Sequence, residues 1–134
     1  MTTVIFACIH NAGRSQMAAA WFKELADPSK AQALSAGTEP GKRVHPEVVV
    51  AMREVGIDLE AARPELLTAS MIGEASHLVT MGCGQACPVV PNRVVRDDWP
   101  LEDPKGKPLE KVRAIRDEIR DRVQTLVQKE GWLR

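Results

Sequence analysis

Apolar and polar positions along this chain fall into blocks that read in turn as strands and helices. Residues 4–8 are a short run rich in Val, Ile and Phe, the pattern of a buried strand. Asn11-Ala12-Gly13 follows as a turn. Over residues 15–26 the positions Met17, Ala20, Trp21 and Leu25 lie near a 3.6-residue period, which predicts a helix that Asp27-Pro28-Ser29 ends. Residues 31–36 read as a second strand closed by Gly37, and residues 38–43 as a loop. His45-Pro46 opens a second helix that runs to about Val55 before Gly56. Residues 57–69 read as mostly helical and irregular, restarting at Pro64. A third strand is expected over residues 76–81, a loop or short helix over 82–91, a short fourth strand over 93–96, and a Pro-containing loop over 97–108. The last helix runs from Leu109 to about Gln128, with Val112, Ile115, Ile119, Val123 and Leu126 in one apolar stripe.

Strands that alternate with helices predict an α/β fold: one domain with a four-stranded parallel sheet flanked by helices on both faces. In such sheets ligands sit beyond the carboxyl ends of the strands, where a strand meets the next helix. Here the first such junction is Cys8 to Ser15.

Composition narrows the options. The 134 residues are 44% hydrophobic and 27% charged, which suits one globular domain and not a disordered chain. Formal net charge is zero, so no global field recruits nucleic acid or an acidic membrane surface. Arg113, Arg116, Arg120 and Arg122 do cluster on the last helix, but Asp117, Glu118 and Asp121 interleave with them, the pattern of a solvated face. No apolar run approaches the ~20 residues that a membrane span needs. The first residues lack a basic segment and a long apolar stretch, so a cytoplasmic protein is expected. Three cysteines without a secretory signal suggest reactive thiols rather than a disulfide scaffold.

The chemistry concentrates in Cys8-Ile9-His10-Asn11-Ala12-Gly13-Arg14-Ser15. Five residues between Cys8 and Arg14 can curl so that their N–H groups converge on an anion. The helix that follows adds the positive end of its dipole. Gly13 permits a tight curl, and the planar fork of Arg14 matches two oxygens of a phosphate-like ion. The same field favours the thiolate of Cys8, making it a nucleophile. Ser15 is placed to donate its hydroxyl to that sulfur, and Asn11 to brace the loop. The competing reading, a buried cysteine that merely fills space, does not account for a strand before the motif, a helix after it, Gly before Arg and Ser behind. His10 either lines the mouth or faces solvent. His45 and His77 read as structural.

These residues resemble the active loop of the low-molecular-weight tyrosine phosphatase fold, and are more closely similar to the arsenate reductases built on it. The likeness rests on residues 8–21 (CIHNAGRSQMAAAW), Ser35-Ala36-Gly37, Gly56-Ile57-Asp58, Cys83, Cys87-Pro88 and residues 99–107 (WPLEDPKGK). It implies that Cys8 is the nucleophile, Arg14 the oxyanion clamp, and Ser15 and Asn11 the loop supports. It implies that Asp103, before Pro104, is the general acid. From the residues alone Asp103 is a carboxylate in a Pro-containing loop, and Asp97, Asp98 and Glu102 are rivals for that role. Some of these reductases hold potassium near the loop through an acidic residue on the first helix. Ala19 stands at the matching position, and no metal or other cofactor is expected. The phosphatases carry tyrosines after the Asp-Pro pair, whereas Lys105 follows here and the chain has no Tyr.

Cys83 and Cys87 separate a reductase from a phosphatase, because phosphoryl transfer needs no further thiols. As the resemblance implies, Cys8 attacks arsenate, Cys83 then attacks the sulfur of Cys8, and Cys87 leaves Cys83–Cys87 oxidised. Thioredoxin, or a low-molecular-weight thiol with a glutaredoxin-like protein, would restore the thiols. On a helix, residues four apart hold their Cβ atoms about 5–6 Å apart, whereas a disulfide needs roughly 3.5–4.5 Å. Gly82, Gly84 and Pro88 would let residues 82–91 rearrange on oxidation. The alternatives are a phosphatase of the same fold, a thiol sensor for arsenite or a metal, and a zinc site whose spacing matches no usual motif. A monomer is expected.

Overall fold

Strand β1 (Thr2–Cys8) lies at the centre of a four-stranded parallel sheet, with β2 (Ala31–Gly37) on one side and β3 (His77–Thr80) on the other. Strand β4 (Val95–Asp98) pairs with β3 and completes the order β2-β1-β3-β4. The helices are α1 (Arg14–Leu25), α2 (Pro46–Arg53), α3 (Ala69–Glu74) and α4 (Leu109–Glu130). The computed structural model describes residues 2–82 and 90–134, and the expected rearrangement around Cys83 and Cys87 lies outside them.

The unbroken apolar run of β1 follows from its position. Paired along both sides and covered on both faces, its residues 4–8 have no surface left for a polar side chain. Its alternation sends Val4, Phe6 and Cys8 into a large core with Met17, Phe22, Val48, Met52, Val112 and Ile119 from α1, α2 and α4. Ile5 and Ala7 point the other way, into a smaller core with Ala75, Leu78 and Val94, against which Met71 of α3 packs. Phe6 meets Phe22 edge-on at 6.0 Å between ring centroids. Burying one such ring contributes roughly 1.5–3 kcal/mol. The stripe of α4 is buried as read at Val112, Ile115, Ile119 and Val123, and ends on Val127, with Leu126 only partly covered.

Three expectations need correction. Residues 57–68 are not helical; the helix begins only at Ala69, capped by the Thr68 hydroxyl. The backbone of that segment bonds elsewhere: Glu65 N–H donates to Asn11 Oδ1, Gly37 N–H to the Glu65 carbonyl, and Leu67 N–H to the Gly37 carbonyl. The fourth strand is Val95–Asp98, not 93–96. Arg93 is drawn off to the carbonyls of Gly73 and Ala75, and Val94 is buried in the turn, which moves the pairing register two residues on. Two adjacent aspartates are tolerated because β4 is an edge strand whose residues are exposed. Finally, Arg116 does not belong to a solvated face. It is buried, and donates to the Ala51 carbonyl and to Glu54, tying α4 to α2.

Candidate active site

Cys8 ends β1 and Arg14 begins α1, so the loop between them sits at the carboxyl edge of the central strand. Its backbone orientation is fixed from outside. The carbonyls of Cys8, Ile9 and His10 accept from the N–H groups of Thr38, Glu39 and Gly41. Those of Ala12 and Gly13 accept from the N–H groups of His45 and Met17, and that of Asn11 from Gln16 Nε2. Every carbonyl from residue 8 to residue 13 is thus engaged by the surroundings. In a trans peptide the next N–H points opposite to the carbonyl. The amides of Ile9, His10, Asn11, Ala12, Gly13 and Arg14 therefore face the other way, into the ring. This is a nest for an anion.

Side chains fill the base of the ring. Cys8 Sγ lies 2.9 Å from Ser15 Oγ, and Asn11 Nδ2 donates to the same hydroxyl oxygen at 2.7 Å. With that oxygen accepting from Asn11, its own proton is free to point at the sulfur. Cys8, Asn11 and Ser15 are buried. Asn11 sits at φ 51°, a left-handed conformation that asparagine tolerates better than most residues. The start of α1 has neither a capping side chain nor an acid in its first turn. A carboxylate there would compete with an anion for the helix terminus.

Arg14 is buried and held at its tip. Nη1 donates to the Leu101 carbonyl at 3.0 Å, and Nη2 lies 3.9 Å from Asp103 Oδ2. Gly82, at φ 84°, lies so close that a Cβ there would stand 2.6 Å from Nη1. Gly82, a described residue, thus lies beside the guanidinium.

The four candidate carboxylates have different partners. Asp98 accepts from Thr80 Oγ1, and Asp97 from the Trp99 indole N–H, so both are tied down along β4. Glu102 pairs with Lys107 and Lys111, and hydrogen bonding from Lys107 holds its carboxyl below the usual range. Only Asp103 among the four pairs with Arg14. Next to it, Pro104 packs over the loop so closely that a Cβ on Gly13 would meet its Cγ at 2.8 Å.

Of the three histidines, His10 is exposed and bonds through Nδ1 to the Glu39 carbonyl. His77 stacks edge-on against Trp132 near Glu130, at the end of β3 away from the loop. His45 takes part more than its sequence setting suggests. It precedes α2 as read, yet its N–H holds the Ala12 carbonyl and its ring lies against Gly13. Burial lowers its pKa, partly opposed by Glu47 and Asp103. Cys83 and Cys87 lie outside the described residues. Gln16, Gly37, Gly82 and Leu101 were not singled out as site residues by the sequence reading. A polar residue in the first turn of a helix gives no signal of burial, although Gln16 is only 6% exposed.

The sequence profile described as "Low molecular weight phosphotyrosine protein phosphatase" matches residues 3–130. The chain belongs to that family. Within the low-molecular-weight phosphatase family it is similar to proteins named for a redox reaction. It is 38% identical to an arsenate reductase of Staphylococcus aureus over 88% of this chain and 90% of the relative. It is 34% identical to arsenate reductase 2 of Staphylococcus haemolyticus, over 92% and 94%. Its fold superposes on a thioredoxin-dependent arsenate reductase of Corynebacterium glutamicum with a TM-score of 0.82 and 36% identity. That match covers 96% of this chain and 61% of the other, so this chain spans under two thirds of that protein's length.

Proposed function

We propose that this chain reduces arsenate to arsenite, with Cys8 as the nucleophile and Cys83 and Cys87 as the source of electrons. The observation that carries the reading is the ring of inward amides around the Cys8 sulfur, closed by a buried arginine fork. Such a ring suits a tetrahedral oxyanion. Similarity to arsenate reductases of nearly full length favours arsenate over a phosphoester as the anion that reacts.

The loop geometry supports the first steps, and the resemblance to the reductases supplies the thiol steps. Arsenate oxygens take the amide hydrogens of residues 9–14 and the fork of Arg14, which leaves its paired carboxylate, Asp103, at the anion's edge. The Cys8 thiolate attacks arsenic. One arsenic–oxygen bond breaks, and its oxygen leaves as water with a proton from Asp103, which the anion displaces from Arg14 and which takes up a proton before it acts. Cys83 then attacks the sulfur of Cys8. The sulfur–arsenic bond breaks and its electron pair stays on arsenic, which leaves as arsenite. Cys87 attacks Cys83, frees the Cys8 thiolate and leaves a Cys83–Cys87 disulfide. Two thiols have become one disulfide, one water has been released, and arsenic has gained two electrons. A dithiol protein such as thioredoxin resets the pair, in the cytoplasm, with the reductase acting as a monomer.

The test is arsenate-dependent consumption of NADPH through thioredoxin and its reductase. Cys8→Ser should remove all turnover of arsenate and of aryl phosphates. Cys83→Ser and Cys87→Ser should each remove arsenate turnover and leave aryl phosphate hydrolysis unchanged. Wild type that hydrolyses aryl phosphate briskly and oxidises no reductant in arsenate would instead be a phosphatase. Turnover only with a low-molecular-weight thiol and a glutaredoxin would overturn thioredoxin as the partner.

A further inference from the structure

Some of the reductases that this chain resembles hold a potassium ion beside the loop through an acid on the first helix, and the residues present do not fit one. Ala19 offers no carboxylate, and the oxygens that surround the loop already converge on a nitrogen. Gln16 Nε2 lies 3.1 Å from the Asn11 carbonyl oxygen, 3.1 Å from Asn11 Oδ1 and 3.2 Å from the Arg63 carbonyl oxygen. Two of these three are main-chain carbonyls, which only accept, so the amide nitrogen and not its oxygen must face them. An NH2 group has two hydrogens, and here three acceptors share them. Carbonyl and amide oxygens are also the ligands that a hard cation takes. Asn11 Oδ1 also accepts from Glu65 N–H at 2.9 Å, so the asparagine joins the loop to residues 63–65.

We infer that Gln16 is a positioning residue whose amide takes the place of a bound cation and so frees the catalytic loop from any need for a monovalent metal. Its action reaches the sulfur through a short relay. Gln16 fixes both oxygens of Asn11, Asn11 Nδ2 then points at Ser15 Oγ, and Ser15 Oγ faces Cys8 Sγ. The residue that the amide fixes, Asn11, has a left-handed backbone at φ 51°. A neutral amide does this without setting a full positive charge that could leave with a change of salt. Gln16 also lines a cavity of about 660 Å³ together with Ala19 and residues 56–59. The inference rests on the loop as an oxyanion site, and not on arsenate as the substrate.

A carboxylate at position 16 would put an oxygen against three oxygens, an arrangement that only a cation between them relieves. Gln16→Glu should therefore create a cation requirement that wild type lacks. Phosphate affinity by calorimetry, with arsenate kcat and KM alongside, would be measured in tetramethylammonium, sodium and potassium at equal ionic strength. Wild type should agree within about twofold in all three, while Gln16→Glu should lose about tenfold in tetramethylammonium and regain it in potassium or sodium. Gln16→Ala should bind weakly in every salt. Wild-type affinity that rises more than about fivefold with potassium would overturn the inference, and so would a folded Gln16→Glu indifferent to the cation. The wild-type series decides the question even if Gln16→Glu does not fold. Phosphate results as expected in a protein that never reduces arsenate would count against the proposed function and leave Gln16 in its role.

Discussion

A methyl group at position 37 would sit 2.6 Å from the Ile9 carbonyl oxygen and 2.9 Å from the Asn11 nitrogen. Both atoms are main chain, so the loop itself would have to move. Gly37→Ala is expected to cost about 1–3 kcal/mol in chemical unfolding, as other overpacking changes do, and to weaken phosphate binding as well. A variant that unfolds earlier but binds phosphate normally would contradict this account. Arg14 offers a second case. Arg14→Lys keeps the charge but loses the fork, and kcat/KM for arsenate should fall by about 10²–10³. Much of this was legible in the sequence at Cys8, Gly13, Arg14 and Ser15, because an anion loop is local chemistry written in consecutive residues. Gln16, Gly37, Gly82 and Leu101 were not, because their roles depend on contacts between distant parts of the chain. From the residues alone Asp103 stands among four carboxylates, and the different partners of the other three appear only in the fold.

Helix α4 is fastened to the end of α2 by two arginines on one carboxylate. Arg113 Nε and Nη2 reach Glu54 at 2.6–3.2 Å, and Arg116 Nη1 reaches it at 3.0 Å. Hydrogen bonding from Arg113, together with its charge and that of Arg116, lowers the Glu54 pKa from 4.5. The folded carboxyl therefore gives up its proton more readily than the unfolded one. Its stabilising contribution is fully present above about pH 4.5 and is lost as pH falls through the lower folded value. Thermal unfolding of wild type and Glu54→Gln should show a gap above pH 5 that narrows toward pH 3; a gap constant with pH would refute the assignment. The apolar stripe of α4 announced the helix but not this junction, since interleaved charges look solvated until a partner helix covers one of them. Residues 57–68 misled for a related reason. Their backbone partners lie at the end of β2 and in Asn11, which no local periodicity reports.

At the scale of the whole molecule, an anion that binds only the folded ring should stabilise the entire chain. Phosphate at about a hundred times its dissociation constant adds about 2.7 kcal/mol, which for a domain of this size raises the melting midpoint on the order of 5–10 °C. Arg14→Ala should show little of this rise in calorimetry with and without phosphate. The α/β architecture was legible from alternation alone, as was the parallel sheet, because a strand covered on both faces must be apolar throughout. The register of β4 was not, since it depends on where Arg93 finds acceptors.

Four outward carbonyls of the loop, those of Cys8, Ile9, His10 and Ala12, are gripped by main-chain N–H groups of Thr38, Glu39, Gly41 and His45, not by their side chains. Spelling in that stretch is therefore freer than counting. Exchanging Thr38, Glu39 or Lys42 for other residues should leave phosphate affinity near the parent value. Removing a single residue between Gly41 and His45 would offset each peptide from its mate by one step, and that deletion should abolish binding even where the chain still folds. The nest is moulded by a neighbouring length of backbone, so what descendants of this sequence must preserve there is a tally of peptide units.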